Sequence, residues 1–323
     1  MTKRWPLHPR PRPAEALSSW LKRIANAHDL TIKDLLVHDL GLLNLPSWEL
    51  DHLPPDAIFG LLSARTGIAV ARIRQMSCCA FLGETCTGDT AEAAFESYVR
   101  THSVLLSPGV RQAKKVKPDW SAWFCQDRFL WPWGCPACMS EPNGDYLRLH
   151  WRLPLTATCP THRMFLEPLC EMGTIKLQPV GKLKPAPRVV PEAILALDAI
   201  SQGAFMTGDA MLPSVRLSCR TWLQLLRTIL DELNTTGVYA GNQHGLLARI
   251  WRTADLRIRA GVTATRPFED MKPNQRSEFL EAAATAIVLL TNRGDLAYGH
   301  DLAALGARQA PPPKTQAAFA TNR

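Results

Sequence analysis

The chain has 323 residues, 46% of them apolar and 20% charged, enough for two or three domains with real cores and typical of a globular protein. It carries 37 Lys and Arg against 29 Asp and Glu, a formal charge of +8, which favours an anionic partner, nucleic acid first. The start leads into prolines instead of an apolar signal, and no apolar run is long enough to span a bilayer. The nine cysteines therefore read as reduced thiols and metal ligands in a cytoplasmic protein, not as a disulfide framework.

Residues 1–13 alternate prolines (Pro6, Pro9, Pro11, Pro13) with basic residues and predict an extended arm, either free or laid across the body. From about Glu15 to Ala27 the residues Leu17, Trp20, Leu21 and Ile24 form one apolar helical stripe. Thr31 as N-cap, Asp34 three positions on and Gly41 as a stop signal a second helix close behind, as in a helix-turn-helix. A third helix, about Pro55 to Thr66, ends at Gly67, and a fourth runs through Val70, Ile73 and Met76. Arg65, Arg72 and Arg74 surround that second pair, the layout of a major-groove reader or of a plain helical pair with a solvated basic face. Ala91 to Thr101 also reads as helix. The run Arg111, Lys114, Lys115 and Lys117 suits either phosphate contact or a solubilising loop. Residues 1–118 are thus expected to form a helical, helix-turn-helix-like N-terminal domain.

A module at 119–175 follows. Cys135-Pro-Ala-Cys138 and Cys159-Pro-Thr-His162 offer two ligand pairs separated by 20 residues, the pattern of two zinc knuckles. A thioredoxin-like redox pair is disfavoured because no strand–CxxC–helix arrangement is legible around Cys135. Four protein ligands close the coordination shell, so the metal is structural. Trp120, Trp123, Trp131, Trp133 and Trp151 are expected to pack around the site, with base stacking as the alternative. Tyr146 to Trp151 alternates like a short strand. Cys170 reads as a buried structural cysteine or a spare ligand, and Cys78, Cys79, Cys86, Cys125 and Cys219 as buried structural thiols.

Residues 176–191, rich in Lys and Pro, read as a basic linker. Helical stripes at Trp222–Leu233, Leu246–Trp251 and Phe279–Leu290 define a C-terminal helical domain, 192–309, before a disordered tail, 310–323. The fold class is mainly α with a small zinc-ribbon-like module. No phosphate loop, HExxH or deaminase signature is present, so the chain reads as a binding protein, not an enzyme.

Two blocks together carry a family resemblance. Pro13-Ala-Glu15-Ala-Leu17-Ser-Ser-Trp20-Leu-Lys-Arg23 resembles the opening of TniQ/TnsD transposition proteins. Cys135, Cys138, Tyr146, Arg148, Trp151, Cys159, His162, Leu166 and Cys170 resemble that family's zinc block. Ala14 and Ala16 depart from the Gly and Ser common there, and the ligand that would complete a second site after Cys170 is missing. The resemblance implies a shorter, TniQ-like target-selection adaptor with one zinc held by Cys135, Cys138, Cys159 and His162. Its implied partners are DNA or a target-recognition complex, an AAA+ ATPase regulator and a DDE transposase; homodimers occur in the family. A zinc-containing helix-turn-helix transcriptional regulator is the alternative, and a metal-dependent nuclease the third reading. DNA contacts are expected from Arg65, Arg72, Arg74, Lys114, Lys115 and Lys117.

Overall fold

A computed structural model describes residues 4–82 except 44 and 46, 104–105, 133–172, 176–179, 189–213, 215–234, 244–257, 268 and 271–291. The expected helix at 91–101, the basic run through Lys114, Lys115 and Lys117, and the tail at 310–323 lie outside the described residues. So do Trp120, Trp123, Trp131, Cys86 and Cys125.

The N-terminal segment is laid across the body. Its prolines lack N–H groups, so its carbonyls need donors from elsewhere. Helix α1 (Leu17–Ala27) supplies them from one side: Trp20 Nε1 donates to the Pro9 carbonyl at 2.7 Å and Arg23 Nη2 to that of Arg10 at 2.8 Å. Trp5 buries its ring and donates through Nε1 to Asp39 Oδ2 at 3.0 Å.

The apolar stripe of α1, with Leu17, Trp20, Leu21 and Ile24 fully buried, meets four further helical pieces. Thr31 and Asp34 form a reciprocal capping box that starts α2 (Ile32–Asp34), which continues as a π-turn, Leu35–Asp39, up to Gly41 at φ +67°. A short α3 (Ser47–Asp51), unmarked by periodicity in the sequence, packs beside α1. Then α4 (Ala57–Thr66) stops at Gly67, whose φ of +74° is the left-handed cap a glycine permits, and α5 (Val70–Arg74) follows. A further short helix, α6 (Cys79–Leu82), ends this part.

The second apolar cluster joins the ligand-bearing module to the C-terminal helices, from Trp151 and Leu169 to Trp222, Ile229 and Phe279. Strands β1 (Trp133–Gly134), β4 (Glu167–Met172) and β5 (Lys176–Pro179) form an antiparallel sheet in the order β1-β4-β5. The head of the expected linker, 176–179, is therefore strand. Its backbone groups pair with β4, and Pro179, which has no N–H to give, falls at the strand end. A separate hairpin pairs β2 (Thr158–Cys159) with β3 (Met164–Phe165). Helix α7 (Pro136–Ser140) follows β1 directly.

The expected strand at 146–151 is not formed. Arg148 makes a single antiparallel bridge to Glu15, and Leu149–Arg152 is one turn of 3₁₀ helix. The reason is that its partner is three residues of chain before α1, too short for a ladder.

Helix α8 (Glu192–Thr207) leads through Gly208, φ +88°, into a hairpin of β6 (Asp209–Met211) and β7 (Arg216–Ser218). Ser218 caps α9 (Cys219–Leu233) by accepting from the Thr221 N–H. Helices α10 (His244–Thr253) and α11 (Pro273–Thr291) complete the described chain. Among the described residues no helix is long and apolar enough to cross a membrane.

Candidate metal centre

Each ligand pair sits on a tight turn. In the first, Cys135 follows β1 and caps α7, its Sγ accepting the Cys138 N–H at 3.5 Å, while Pro136 fills the first helical position, where a missing N–H costs nothing. A strand–CxxC–helix arrangement does surround Cys135, contrary to the sequence expectation; two residues of strand carry too little pattern to be legible. In the second pair, the Arg163 N–H closes on the Cys159 carbonyl at 2.8 Å, which turns His162 back towards the thiols.

The four ligand atoms lie within 4.8 Å of one another. His162 Nδ1 is 3.5 Å from Cys135 Sγ, 3.2 Å from Cys138 Sγ and 3.6 Å from Cys159 Sγ, and Cys138 Sγ is 3.6 Å from Cys159 Sγ. A tetrahedron with metal–sulfur bonds of about 2.3 Å and a metal–nitrogen bond of about 2.0 Å has edges of about 3.5–3.8 Å. The cluster has the size of that shell. Three buried cysteines and one imidazole are also a donor set that suits such an ion.

The charges point the same way. Hydrogen bonding from the Cys135 thiol pulls the Cys159 thiol down to about 4, whereas the same contact pushes Cys135 up. Burial first, then the neighbouring Cys159, raises Cys138 to about 11. One thiolate is stabilised by its neighbours, and further ones are resisted until a cation compensates them.

Support around the ligands was not legible in the sequence. His162 Nε2 lies 3.2 Å from Glu141 Oε1, leaving Nδ1 to face the thiols. Gly144 is required by close approach, since a Cβ there would lie 1.8 Å from the Cys138 carbonyl oxygen. From α8, the buried Asp198 accepts the Thr158 N–H at 2.7 Å and the Thr158 hydroxyl at 2.5 Å, fixing the strand that delivers Cys159.

The metal block and the α1 block are stitched together. The Ala16 N–H donates to the Leu147 carbonyl at 2.9 Å, the Leu149 N–H to that of Ala14 at 2.8 Å, and the Leu147 N–H to Ser19 Oγ at 3.0 Å. Glu15, fully buried, holds Arg23 through Nε at 2.8 Å and Nη2 at 2.7 Å. Asp51 accepts from Ser18 N and Oγ at 2.8 and 2.7 Å and pairs with Arg152 Nε at 3.1 Å. The opening block thus meets the metal block through Ala14, Ala16 and Ser19 directly and through Asp51 of α3 at one remove, while Glu15 and Arg23 brace the opening block itself.

Of the residues nominated for DNA, Arg65 donates to the Asp39 carbonyl at 3.3 Å. Arg74 pairs with the exposed Asp56 at 2.8 Å and stacks over Phe59 at 4.9 Å. Arg72 is exposed and reaches Gln75 at 3.4 Å. Lys114, Lys115 and Lys117 lie outside the described residues, and the backbone of Cys170 lies in β4 opposite Gln178. Trp151 packs against Gly134, where an added Cβ would come within 3.2 Å of its ring.

No curated protein and no solved structure matches the chain. The profile of the TniQ family matches residues 6–166, from the docked arm to just beyond His162. That span takes in the α1 block, all four ligands and the seam between them, and the chain belongs to the TniQ family, which is associated with target selection in transposition.

Proposed function

We propose that this protein is a non-catalytic, zinc-stabilised adaptor that links target DNA, or a target-recognition complex, to an AAA+ ATPase regulator and its DDE transposase. The observation that carries this reading is the seam: the family's two blocks are joined into one body, with Ala16 and Ser19 of the opening block bonded to Leu147 of the metal block. The metal is zinc held by Cys135, Cys138, Cys159 and His162, and its role is folding, since binding energy at such a site is folding energy.

DNA contact is through phosphates. Arg74 suits such contact, because its partner Asp56 is exposed and the pair can open to a phosphate. The α4–Gly67–α5 pair has the order of a helix-turn-helix, but α5 has five residues, about 7.5 Å of helix. So short a second helix supports backbone contact more than a full base-reading surface, which favours a partner-reliant adaptor over a transcriptional regulator.

The test is capture of an AAA+ ATPase transposition regulator by the purified chain, with and without DNA. Capture supports the adaptor. Sequence-specific DNA binding with no capture supports the regulator.

A further inference from the structure

The docked arm, α5 and α6 on one side, and the α8–β6 corner with the start of α9 on the other, enclose a cleft of about 520 Å³. That volume falls in the range of small-ligand sites, about 300–1,000 Å³. Its floor is apolar: Phe81 meets Phe205 edge-on at 5.3 Å, and Met206 beside them is 56% exposed. Each wall brings an arginine, Arg72 from α5 and Arg220 from the first turn of α9. No carboxylate stands among its described lining residues. The start of α9 adds the positive end of a helix dipole.

Arg72 is held only loosely by its own chain, at 3.4 Å from Gln75 and 3.5 Å from the Arg12 carbonyl. Contacts of that length exchange readily for a carboxylate, which pairs with a guanidinium in a shorter, charge-assisted geometry. An uncovered methionine and two aromatic rings in one cleft with two arginines make a surface for a ligand that is both acidic and apolar. A DNA duplex is too wide to enter, and a phosphate alone would leave the exposed Met206 uncovered.

We propose that this cleft docks a short peptide segment of a partner protein, with an aromatic or aliphatic side chain on Phe81, Phe205 and Met206 and flanking Asp or Glu on Arg72 and Arg220. The proposal assigns Arg72 to a protein partner instead of DNA. It draws on the adaptor reading only for the existence of such a partner.

The test uses the full chain and an array of short degenerate peptides, with single-stranded oligothymidylate as a second probe, so it needs no ATPase and fails separately from the adaptor reading. The expected result is selection of peptides with Asp or Glu flanking Phe, Tyr or Leu. Affinity for the selected peptide should fall on the order of tenfold in Arg72→Ala and in Arg220→Ala. Met206→Glu, an exposed change that leaves the fold intact, should weaken it as well by opposing the acidic ligand. No acidic selection, binding by all three variants as tight as that of the unaltered chain, or preference for the oligonucleotide would overturn the proposal.

Discussion

Glu15 and Arg148 face each other as an antiparallel bridge pair, one just ahead of α1 and the other between the two ligand turns. The hydrogen bonds on either side of that bridge, Ala16 to Leu147 and Leu149 to Ala14, make the metal module part of the wall against which the N-terminal helices are set. Loss of a metal held there should therefore reach beyond its own loop.

Cys138→Ser should abolish stoichiometric zinc and unfold the module, because the ligand cluster is the module's organising contact and structural zinc contributes folding energy outright, on the order of 10 kcal/mol. Elemental analysis and amide exchange over 133–172 check this. Retained zinc would remove Cys138 from the ligand set.

Glu141→Ala should lower zinc affinity by about 10–100-fold while leaving the four ligands in place, since the carboxylate orients the His162 ring through Nε2. Glu141→Gln, which keeps an acceptor oxygen, should fall between. Competition with a chromophoric chelator gives the affinities, and a cobalt-substituted spectrum reports the ring's orientation. Identical affinities in all three proteins would make the contact incidental.

Ala14 has φ +52°, in the left-handed region that glycine occupies without penalty and where the resemblance places a glycine. The Cβ penalty there is about 1–2 kcal/mol, partly offset by the greater freedom glycine has when unfolded. Ala14→Gly should therefore stabilise the protein by about 0.5–1 kcal/mol, read as a higher denaturant midpoint at unchanged slope. A lower midpoint would contradict the strain.

His150 is buried with neither ring nitrogen hydrogen-bonded, and burial, then Arg148, lowers its pKa to about 3. The unfolded chain takes up this proton at an ordinary histidine pKa and the folded chain does not. Stability from this residue is thus full above about 6.5 and is lost towards 3, by up to about 1.4 kcal/mol per pH unit. His150→Phe should flatten the fall in stability between neutral and mildly acidic pH. Parallel pH profiles for the two proteins would show that His150 does not titrate in that way.

The ligand set was legible because two chemically unusual pairs recur at a spacing few other structures require. Helices with one apolar stripe, such as α1 and α9, were legible for a similar reason: one side faces a core and the other does not. Helix α8 was not, because it packs against α9, α11, β6 and the β2 strand and so carries buried residues on several sides, Leu195, Leu197 and Asp198 among them. The seam was equally hidden. Glu15, Ser18, Ser19, Asp51 and Arg152 look like ordinary polar residues until the fold buries them against one another, and nothing local distinguishes Glu141 or Asp198 from a solvated acid. The short strands escaped notice because two or three residues hold no period.

DNA binding by this chain is expected to depend on a partner, and the direct measurement is its affinity for duplex DNA alone and with an AAA+ ATPase transposition regulator, across a salt series. Binding by the chain alone should be weak and sequence-indifferent, with a salt slope that drops by about one in Arg74→Ala, and binding in the joint complex markedly tighter. Tight, sequence-specific binding that is indifferent to the ATPase would contradict this expectation.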